Sequence, residues 1–193
     1  MTECDIIEEN GRAHFITERF DRSAEGKIHM QTLCGIAHYD YNMLRVYSYE
    51  QAMQVMRSLN LKYPEMQEMF RRIVFNVVVR NQDDHTKNIS FLMDRNGEWR
   101  LSPAYDVGYN YNPTGDWASQ HQMSVNGKFV DICKSDLIEF ADKNNIDKAD
   151  EIIGQVVETC SQWPSVAKAC GLPQSFVNRR FADFEFLDKE QMT

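Results

Sequence analysis

The sequence predicts an α+β domain that is mainly helical and carries one small β-hairpin. Apolar residues recur at three- and four-residue spacing from Met66 to Val78, which is typical of a helix with one buried face. Two short apolar runs flank Asn96-Gly97, a dipeptide that favours a tight hairpin turn. From residue 136 onward the chain is mostly helical in pattern. These three observations place most of the chain in helices around a small sheet.

The elements before the long helix are short. In chain order they are a strand at 13–17, a charged turn at 19–22, a helix at 28–38 and an irregular aromatic stretch at 39–47. Ser48 then stands three residues before Gln51. This capping-box pattern predicts a helix that runs to about residue 58.

The long helix is predicted to begin near Pro64. Proline is tolerated in a first helical turn because its missing N–H would have no partner there. Arg71, Arg72 and Arg80 lie away from the apolar face and are predicted to be solvated. The predicted buried face consists of Met66, Met69, Phe70, Ile73, Val74, Val77 and Val78.

After the long helix a polar loop leads into the hairpin, whose strands are predicted at 89–93 and 99–101. A polar segment punctuated by Gly and Pro follows at 109–117, where an activation-type or substrate-facing loop is expected. Four helices are predicted in the remainder of the chain, at 136–144, 148–162, 164–170 and 174–184.

Composition bounds the class of protein. The chain has 193 residues, enough for one domain with a hydrophobic core. Its net charge of −8 disfavours nonspecific binding to nucleic acid or to an anionic membrane. No apolar run approaches the roughly 20 residues of a membrane span. The five cysteines lack C-x-x-C spacing, so we interpret them as reduced thiols of a cytoplasmic protein.

One loop carries the residues that indicate chemistry. Asp83 and Asn88 stand five residues apart, and a second carboxylate, Asp106, follows the hairpin. A protein kinase has these parts in this order: a carboxylate that accepts a hydroxyl proton, then an amide and a carboxylate that bind Mg²⁺. The spacing alone also fits a solvated turn. Its place between a periodic helix and a hairpin favours the kinase interpretation. The spacing selects Asp83 rather than Asp84 for the cleft.

Three blocks of the sequence together resemble the HipA family of bacterial serine/threonine kinases: Phe15 to Arg22, Asn81 to Asn88, and Leu101 to Asp106. The resemblance extends over essentially the whole chain, residues 1–193. It implies a protein-kinase-like C-terminal lobe of the HipA C-terminal domain type, with a small catalytic hairpin. It also implies the toxin component of a toxin–antitoxin system, which uses ATP and Mg²⁺.

The resemblance assigns roles to individual residues. Asp83 is the expected catalytic base, with His85 and Lys87 in the same loop and Lys87 neutralising charge on the transferred phosphoryl group. The expected partners are a DNA-binding antitoxin and a protein substrate, since family members act on targets such as aminoacyl-tRNA synthetases. The other expected assignments are Asn88 and Asp106 as Mg²⁺ ligands and Glu18, Arg19 and Phe20 as the hinge that contacts adenine.

The sequence departs from a complete kinase in one respect. A kinase covers the phosphates with a glycine-rich loop and binds them with a strand lysine. Residues 1–20 contain no lysine, and the nine glycines include no G-x-G pair. We therefore expect the N-terminal nucleotide lobe to be absent from this chain, which is then one part of a split kinase, a fragment or a degenerate remnant. The isolated chain is predicted to be inactive.

Two other functions remain open at this point. Ala167, Gly171 and Val177 match the spacing of a helix-turn-helix, in which Arg179 and Arg180 would contact DNA phosphates. The simpler interpretation is two packed helices that close the lobe, with no direct contact to nucleic acid. A catalytically inactive interaction domain is the third alternative, because half of the nucleotide site is missing.

Overall fold

The computed structural model describes residues 1–187, which contain seven helices and nine strands. The helices are α1 Leu33–Ala37, α2 Tyr49–Ser58, α3 Tyr63–Val78, α4 Lys134–Lys143, α5 Ala149–Ser161, α6 Trp163–Ala169 and α7 Gln174–Ala182. The strands are β1 Cys4–Glu9, β2 Arg12–Thr17, β3 Arg22–Ser23, β4 Gly26–Lys27, β5 His29–Thr32, β6 Tyr47–Ser48, β7 Ser90–Met93, β8 Trp99–Leu101 and β9 Met123–Ser124. Within residues 1–187, every helix is too short or too polar to span a bilayer.

Helix α3 lies at the centre of the core. All seven residues of its predicted apolar face are buried, so the prediction from periodicity is confirmed. The helix packs against α2 and α5, and Phe70 stacks on Phe140 of α4 with ring centroids 6.2 Å apart. Because α3 is buried on this face, its C-terminal end is fixed. The polar loop at 81–88 starts from that end.

All three arginines predicted to be solvated have structural contacts, but Arg71 is still 41% exposed, as predicted, while it donates to the Gln155 side chain over 2.9 Å. The other two are less exposed. Arg72 is 17% exposed and donates to the Glu68 carboxylate and, over 2.8 Å, to the Ser102 carbonyl. Arg80 forms an ion pair with Glu185. The prediction for these two residues was wrong because loop carbonyls and carboxylates close over the helix. Position on the helix alone did not reveal those partners.

The main sheet has three antiparallel strands in the order β5-β7-β8. The predicted hairpin forms β7 and β8, but the predicted helix at 28–38 is half wrong, because His29–Thr32 forms β5. Pairing with β5 satisfies the backbone groups on the free edge of β7, which local propensity does not register. Helix α1 begins only after Thr32, whose hydroxyl caps the Gly35 N–H.

Local signals predicted the other helices well. Ser48 and Gln51 form the expected capping box, and α2 ends at Ser58. Helices α4 to α7 match their predicted bounds within two residues. Gly171 ends α6 with a left-handed φ of +78°, and the next residue, Leu172, donates its N–H back to the Ala167 carbonyl over 3.1 Å. This helix end is the one that the sequence predicted.

Strands β1 and β2 form a separate hairpin whose residues are all exposed. The predicted strand at 13–17 corresponds to β2, and Ile6 pairs with Phe15 across the ladder. A two-stranded hairpin is marginally stable alone. Both of its faces carry large exposed apolar residues, namely Ile6, Ile7, Phe15 and Ile16, with exposed fractions between 42% and 66%.

Candidate active site

The loop at 81–88 is held from two sides. Asn81 donates its N–H to the Asn76 carbonyl of α3 over 2.9 Å. Helix α1 holds the other side, because Leu33 and Cys34 donate their N–H groups to the carbonyls of Ile89 and Thr86. The loop is therefore anchored by the two elements that flank it in space.

Asn88 closes this loop onto Asp83. Its Nδ2 donates to the Asp83 backbone carbonyl over 2.9 Å, and its N–H donates to the His85 carbonyl over 2.9 Å. The five-residue spacing is what allows this closure. Within residues 1–187 the Asn88 Oδ1 receives no hydrogen bond, so this oxygen is available to a ligand.

Asp106 lies beyond strand β8, where Ser102 ties the chain to Ser90 through a hydroxyl contact of 2.9 Å. Its φ is +52°, in the left-handed region, which costs a non-glycine residue about 1 kcal/mol. Asn88 and Asp106 line one cavity of about 230 Å³. Two side chains with oxygen atoms that can bind a metal ion, from different parts of the chain, therefore border the same cavity.

This donor pair fits Mg²⁺. Magnesium prefers oxygen ligands and is bound through one or two carboxylates together with waters and substrate phosphates. An amide oxygen and a carboxylate beside one cavity meet that description. Within residues 1–187, no group of three or more His, Cys, Asp and Glu side chains is placed to hold a metal ion. The donor chemistry thus suits an ion shared with a phosphate ligand.

Asp83, His85 and Lys87 line a second cavity, of about 320 Å³. His85 borders both cavities, and its Nε2 lies 3.7 Å from the Asp83 Oδ1. The other ring nitrogen, Nδ1, is buried and has no hydrogen-bond partner among residues 1–187. The Lys87 ammonium lies 4.1 Å from the centre of the Tyr41 ring.

The predicted hinge residues have different surroundings. Phe20 lines a third cavity, of about 410 Å³, together with Asp106, and its ring centroid lies 5.6 Å from that of Tyr105. The Glu18 N–H is engaged by the Glu3 carbonyl. Arg19 forms a bidentate pair with Asp21, and this hydrogen bonding lowers the pKa of the Asp21 carboxyl to about 2. Of the three predicted hinge residues, Phe20 is the one that lines this third cavity.

Sequence reasoning missed the role of Asp84. Its side chain is 1% exposed, and its Oδ2 accepts hydrogen bonds from the Tyr49 hydroxyl (2.6 Å) and His121 Nδ1 (2.8 Å). Its Oδ1 accepts from the Gln122 N–H over 2.7 Å. Burial, together with the nearby Asp84 carboxylate, raises the pKa of Tyr49 well above its usual value. The available signal was the adjacent pair of aspartates, of which one must point inward.

The C-terminal helix pair packs onto the segment that follows Asp106. Val177 is fully buried, while Phe176 and Phe181 are only partly buried. Arg180 donates to the Tyr109 hydroxyl over 3.0 Å and its guanidinium lies over the Tyr109 and Phe176 rings. One of the two arginines proposed for DNA contact is therefore engaged within the domain.

Comparison with known proteins finds two relatives that are named as kinases. A protein of Haemophilus influenzae named "Putative kinase" is 31% identical over 101 residues, which cover 48% of this chain and 29% of the relative. "Putative kinase Y4dM" of Sinorhizobium fredii is 31% identical over 94 residues, covering 47% of this chain and 22% of the relative. The chain therefore spans less than a third of either relative.

A solved structure shows the same fold. HipA of Shewanella oneidensis MR-1, in a toxin–antitoxin complex with HipB and its operator DNA, superposes with a TM-score of 0.68 at 20% identity. The match covers 93% of this chain and 49% of that HipA chain. The family model of the HipA-like C-terminal domain matches residues 1–164. The fold and this match lead to one conclusion: the chain belongs to the family of HipA-like C-terminal domains.

Proposed function

We propose that this domain is the catalytic lobe of a serine/threonine protein kinase, which transfers the γ-phosphoryl group of ATP to a protein hydroxyl. One observation carries the proposal. Asn88 closes the loop onto Asp83 and leaves an oxygen beside the cavity that Asp106 also lines. The expected base and one expected metal ligand thus share a hydrogen-bonded loop, and the two expected metal ligands line one cavity, which supports the proposal of phosphoryl transfer.

In this proposal Asp83 accepts the proton of the attacking hydroxyl, and Lys87 neutralises charge on the group in transit. Asp83 is suited to the role because its side chain is 36% exposed beside a cavity. Asn88 and Asp106 would hold Mg²⁺, which supplies charge neutralisation at the phosphate oxygens when bound. His85 borders both cavities and would lie where the hydroxyl side meets the metal side.

We propose further that the glycine-rich loop and the phosphate-binding lysine lie outside these 193 residues. The chain covers 49% of the HipA chain it superposes on. The exposed β1–β2 hairpin supports the same idea, since Phe15 and Thr17 border the Asp106 cavity together with Phe20. The missing half would cover that hairpin and complete the adenine side of the site.

The partners follow from the same proposal. The superposed HipA forms a complex with HipB and operator DNA. We therefore propose that this domain belongs to the toxin of a toxin–antitoxin pair and is restrained by a DNA-binding antitoxin. Its substrate would be a protein hydroxyl, and aminoacyl-tRNA synthetases are the target class that the family resemblance suggests.

Phosphoryl transfer is tested by adding the N-terminal half of a full-length relative to the 193-residue chain and following radiolabelled phosphate from ATP into protein. We expect no detectable transfer by the chain alone and transfer by the mixture. Asp83→Asn should abolish transfer without changing the melting temperature. Asp142→Asn, an exposed change on α4, is the matched control and should be active.

Each alternative result has a definite meaning. Robust transfer by the chain alone would show that its phosphate site is complete. Transfer by the mixture that survives Asp83→Asn would remove Asp83 as the base. An inactive mixture that still associates would favour the non-catalytic interaction domain.

A further inference from the structure

Two aromatic residues, Tyr41 and Trp117, lie beside Asp83. The 320 Å³ cavity that Asp83 and Lys87 line is also lined by Tyr41 and Trp117. Trp117 is 51% exposed and Tyr41 is 46% exposed. Large aromatic side chains left this open beside a cavity mark binding surfaces, because covering them in a complex is favourable.

The exposed ring of Trp117 stands on a fixed backbone. The Gln122 side-chain amide donates to the Trp117 carbonyl, and the Gln122 N–H is held in turn by the buried Asp84 carboxylate. The neighbouring Ala118 carbonyl accepts from the Asn112 N–H over 2.8 Å. Trp117 is therefore tied to the residue next to Asp83 in sequence. Its exposure does not come from a loosely held loop.

The loop that carries Tyr41 is hydrogen-bonded to the loop that carries Trp117. Arg45 donates to the carbonyl of Asp116 and lies within 3.4 Å of the Ser119 hydroxyl. Met43 and Val46 in that loop are 53% and 46% exposed. The two loops are thus joined to each other, and Tyr41 and Trp117 from them line the cavity together with the polar residues Asp83 and Lys87. Preorganisation reduces the entropy lost on binding.

The chemistry of the cavity indicates its occupant. Asp83 and Lys87 line this cavity and carry opposite charges. The net charge of the cavity is therefore small, and the cavity does not favour a polyphosphate. Asn88 and Asp106 line a different cavity, which His85 also borders. A volume of about 320 Å³ is at the low end of ligand pockets. It accommodates a side chain with its neighbouring backbone.

We propose that Tyr41 and Trp117 bind the protein segment that presents the accepting hydroxyl, and that they select an apolar or aromatic side chain next to the Ser or Thr. This inference rests on the proposed kinase function, since it places the hydroxyl at Asp83. The flanking side chain packs between the two rings. The substrate class is therefore a protein loop or terminus with a large apolar residue adjacent to the acceptor.

The test is binding of the purified 193-residue chain, labelled with a fluorophore, to an array of short synthetic peptides. Each peptide has a central serine, and the neighbouring positions are varied through all residue types. We expect peptides with apolar or aromatic neighbours to bind best. Trp117→Ala should weaken that binding roughly thirtyfold, as for an aromatic hot spot, whereas Trp117→Phe should retain most of it.

Two controls separate this inference from others. Val166→Ala changes a residue on α6 that is 58% exposed and should leave peptide binding unchanged. Phosphoryl transfer by the mixture with the N-terminal half, measured with and without Asp83→Asn, reports the kinase function separately from peptide binding. Binding that depends on Trp117, with no transfer by the mixture, would support a peptide-binding surface at Tyr41 and Trp117 while overturning the kinase function.

Three results would overturn the inference. They are an array without bound peptides, a preference for charged neighbours, and equal binding by the Trp117→Ala variant. Analytical ultracentrifugation of the chain tests the competing occupant, which is a second copy of the same chain. A dimer that dissociates on Trp117→Ala would show that Tyr41 and Trp117 form a self-association surface.

Discussion

Asp83 and Asp84 are neighbours in the chain, but their side chains have opposite surroundings. The Asp83 carboxylate is 36% exposed beside a cavity, whereas that of Asp84 is 1% exposed and accepts three hydrogen bonds. Because adjacent side chains in an extended loop point to opposite sides, one aspartate can face a ligand while the other anchors the loop. The proposed base is therefore held in place by the residue that follows it.

This division of roles predicts opposite mutational effects. Asp84→Ala leaves three donors, on Tyr49, His121 and Gln122, without their buried acceptor. We expect it to lower the free energy of unfolding by about 3 kcal/mol or more. Asp83→Ala should cost less than about 1 kcal/mol. Urea unfolding measures both, and equal losses for the two variants would contradict the anchoring role of Asp84.

Cys160 gives a prediction for the pH dependence of stability. Burial raises the pKa of its thiol from 9.0 to about 11. Because the folded pKa lies above the unfolded one, the contribution of the thiol is complete below pH 9.0 and is lost as pH rises to about 11. Cys160→Ala should therefore make the fall in melting temperature over this range shallower. The exposed Cys170→Ala is the control and should keep the wild-type slope.

Among the secondary-structure elements, those with complete local signals were predicted best. Helix α3 carries an unbroken apolar face, and α2 begins with a capping box, so both formed where expected. Strand β5 lacks such a signal. Its residues form a strand because β7 offers them a ladder partner.

Mutations in the α6–α7 pair distinguish a role in closing the lobe from a role in binding DNA. We predict that Val177→Asp unfolds the domain, because it places a charge at a fully buried position. Arg179→Ala should leave melting temperature and phosphoryl transfer unchanged, since this residue is exposed. Circular dichroism melting and the transfer assay provide these measurements.

The same helix pair predicts the outcome of a gel shift. With Arg180 engaged by Tyr109 and a net charge of −8, the isolated chain should not bind duplex DNA near physiological salt. Sequence-specific binding that is lost on mutating Arg179 would move the DNA-binding regulator ahead of the kinase.

For the whole molecule, the β1–β2 hairpin is the part that its own fold does not explain. The hairpin adds little to the core, because all of its residues are exposed. On one of its faces Ile6 pairs with Phe15, and Phe15 lines the 410 Å³ cavity together with Asp106. This position fits a docking surface for the nucleotide-binding half.

We predict that the double change Ile6→Ser and Phe15→Ser leaves the stability of the chain within about 0.5 kcal/mol of wild type, as for other exposed sites. It should nevertheless abolish activation by the added N-terminal half. Val166→Ser, at an exposed apolar site on α6, should be activated normally. Full activation of the double variant would show that the half docks elsewhere.

The sequence by itself determined most of the helices, the β7–β8 hairpin and the position of the loop at 81–88. These features depend on neighbours within a few residues: apolar spacing in α3, the Ser48 cap and the Asn96-Gly97 turn. It also carried the family resemblance, since the match to the HipA-like C-terminal domain covers residues 1–164.

The tertiary structure alone decided the contacts between distant segments. It buried Asp84 against His121, which lies 37 residues away, and engaged Arg72 with the Ser102 carbonyl. It also placed Trp117 beside the Asp83 cavity. Such contacts depend on how helices and loops pack in space, and a local pattern contains no information about a partner dozens of residues away. For that reason the sequence located the loop, and the packing determined which of its side chains point inward and which face a ligand.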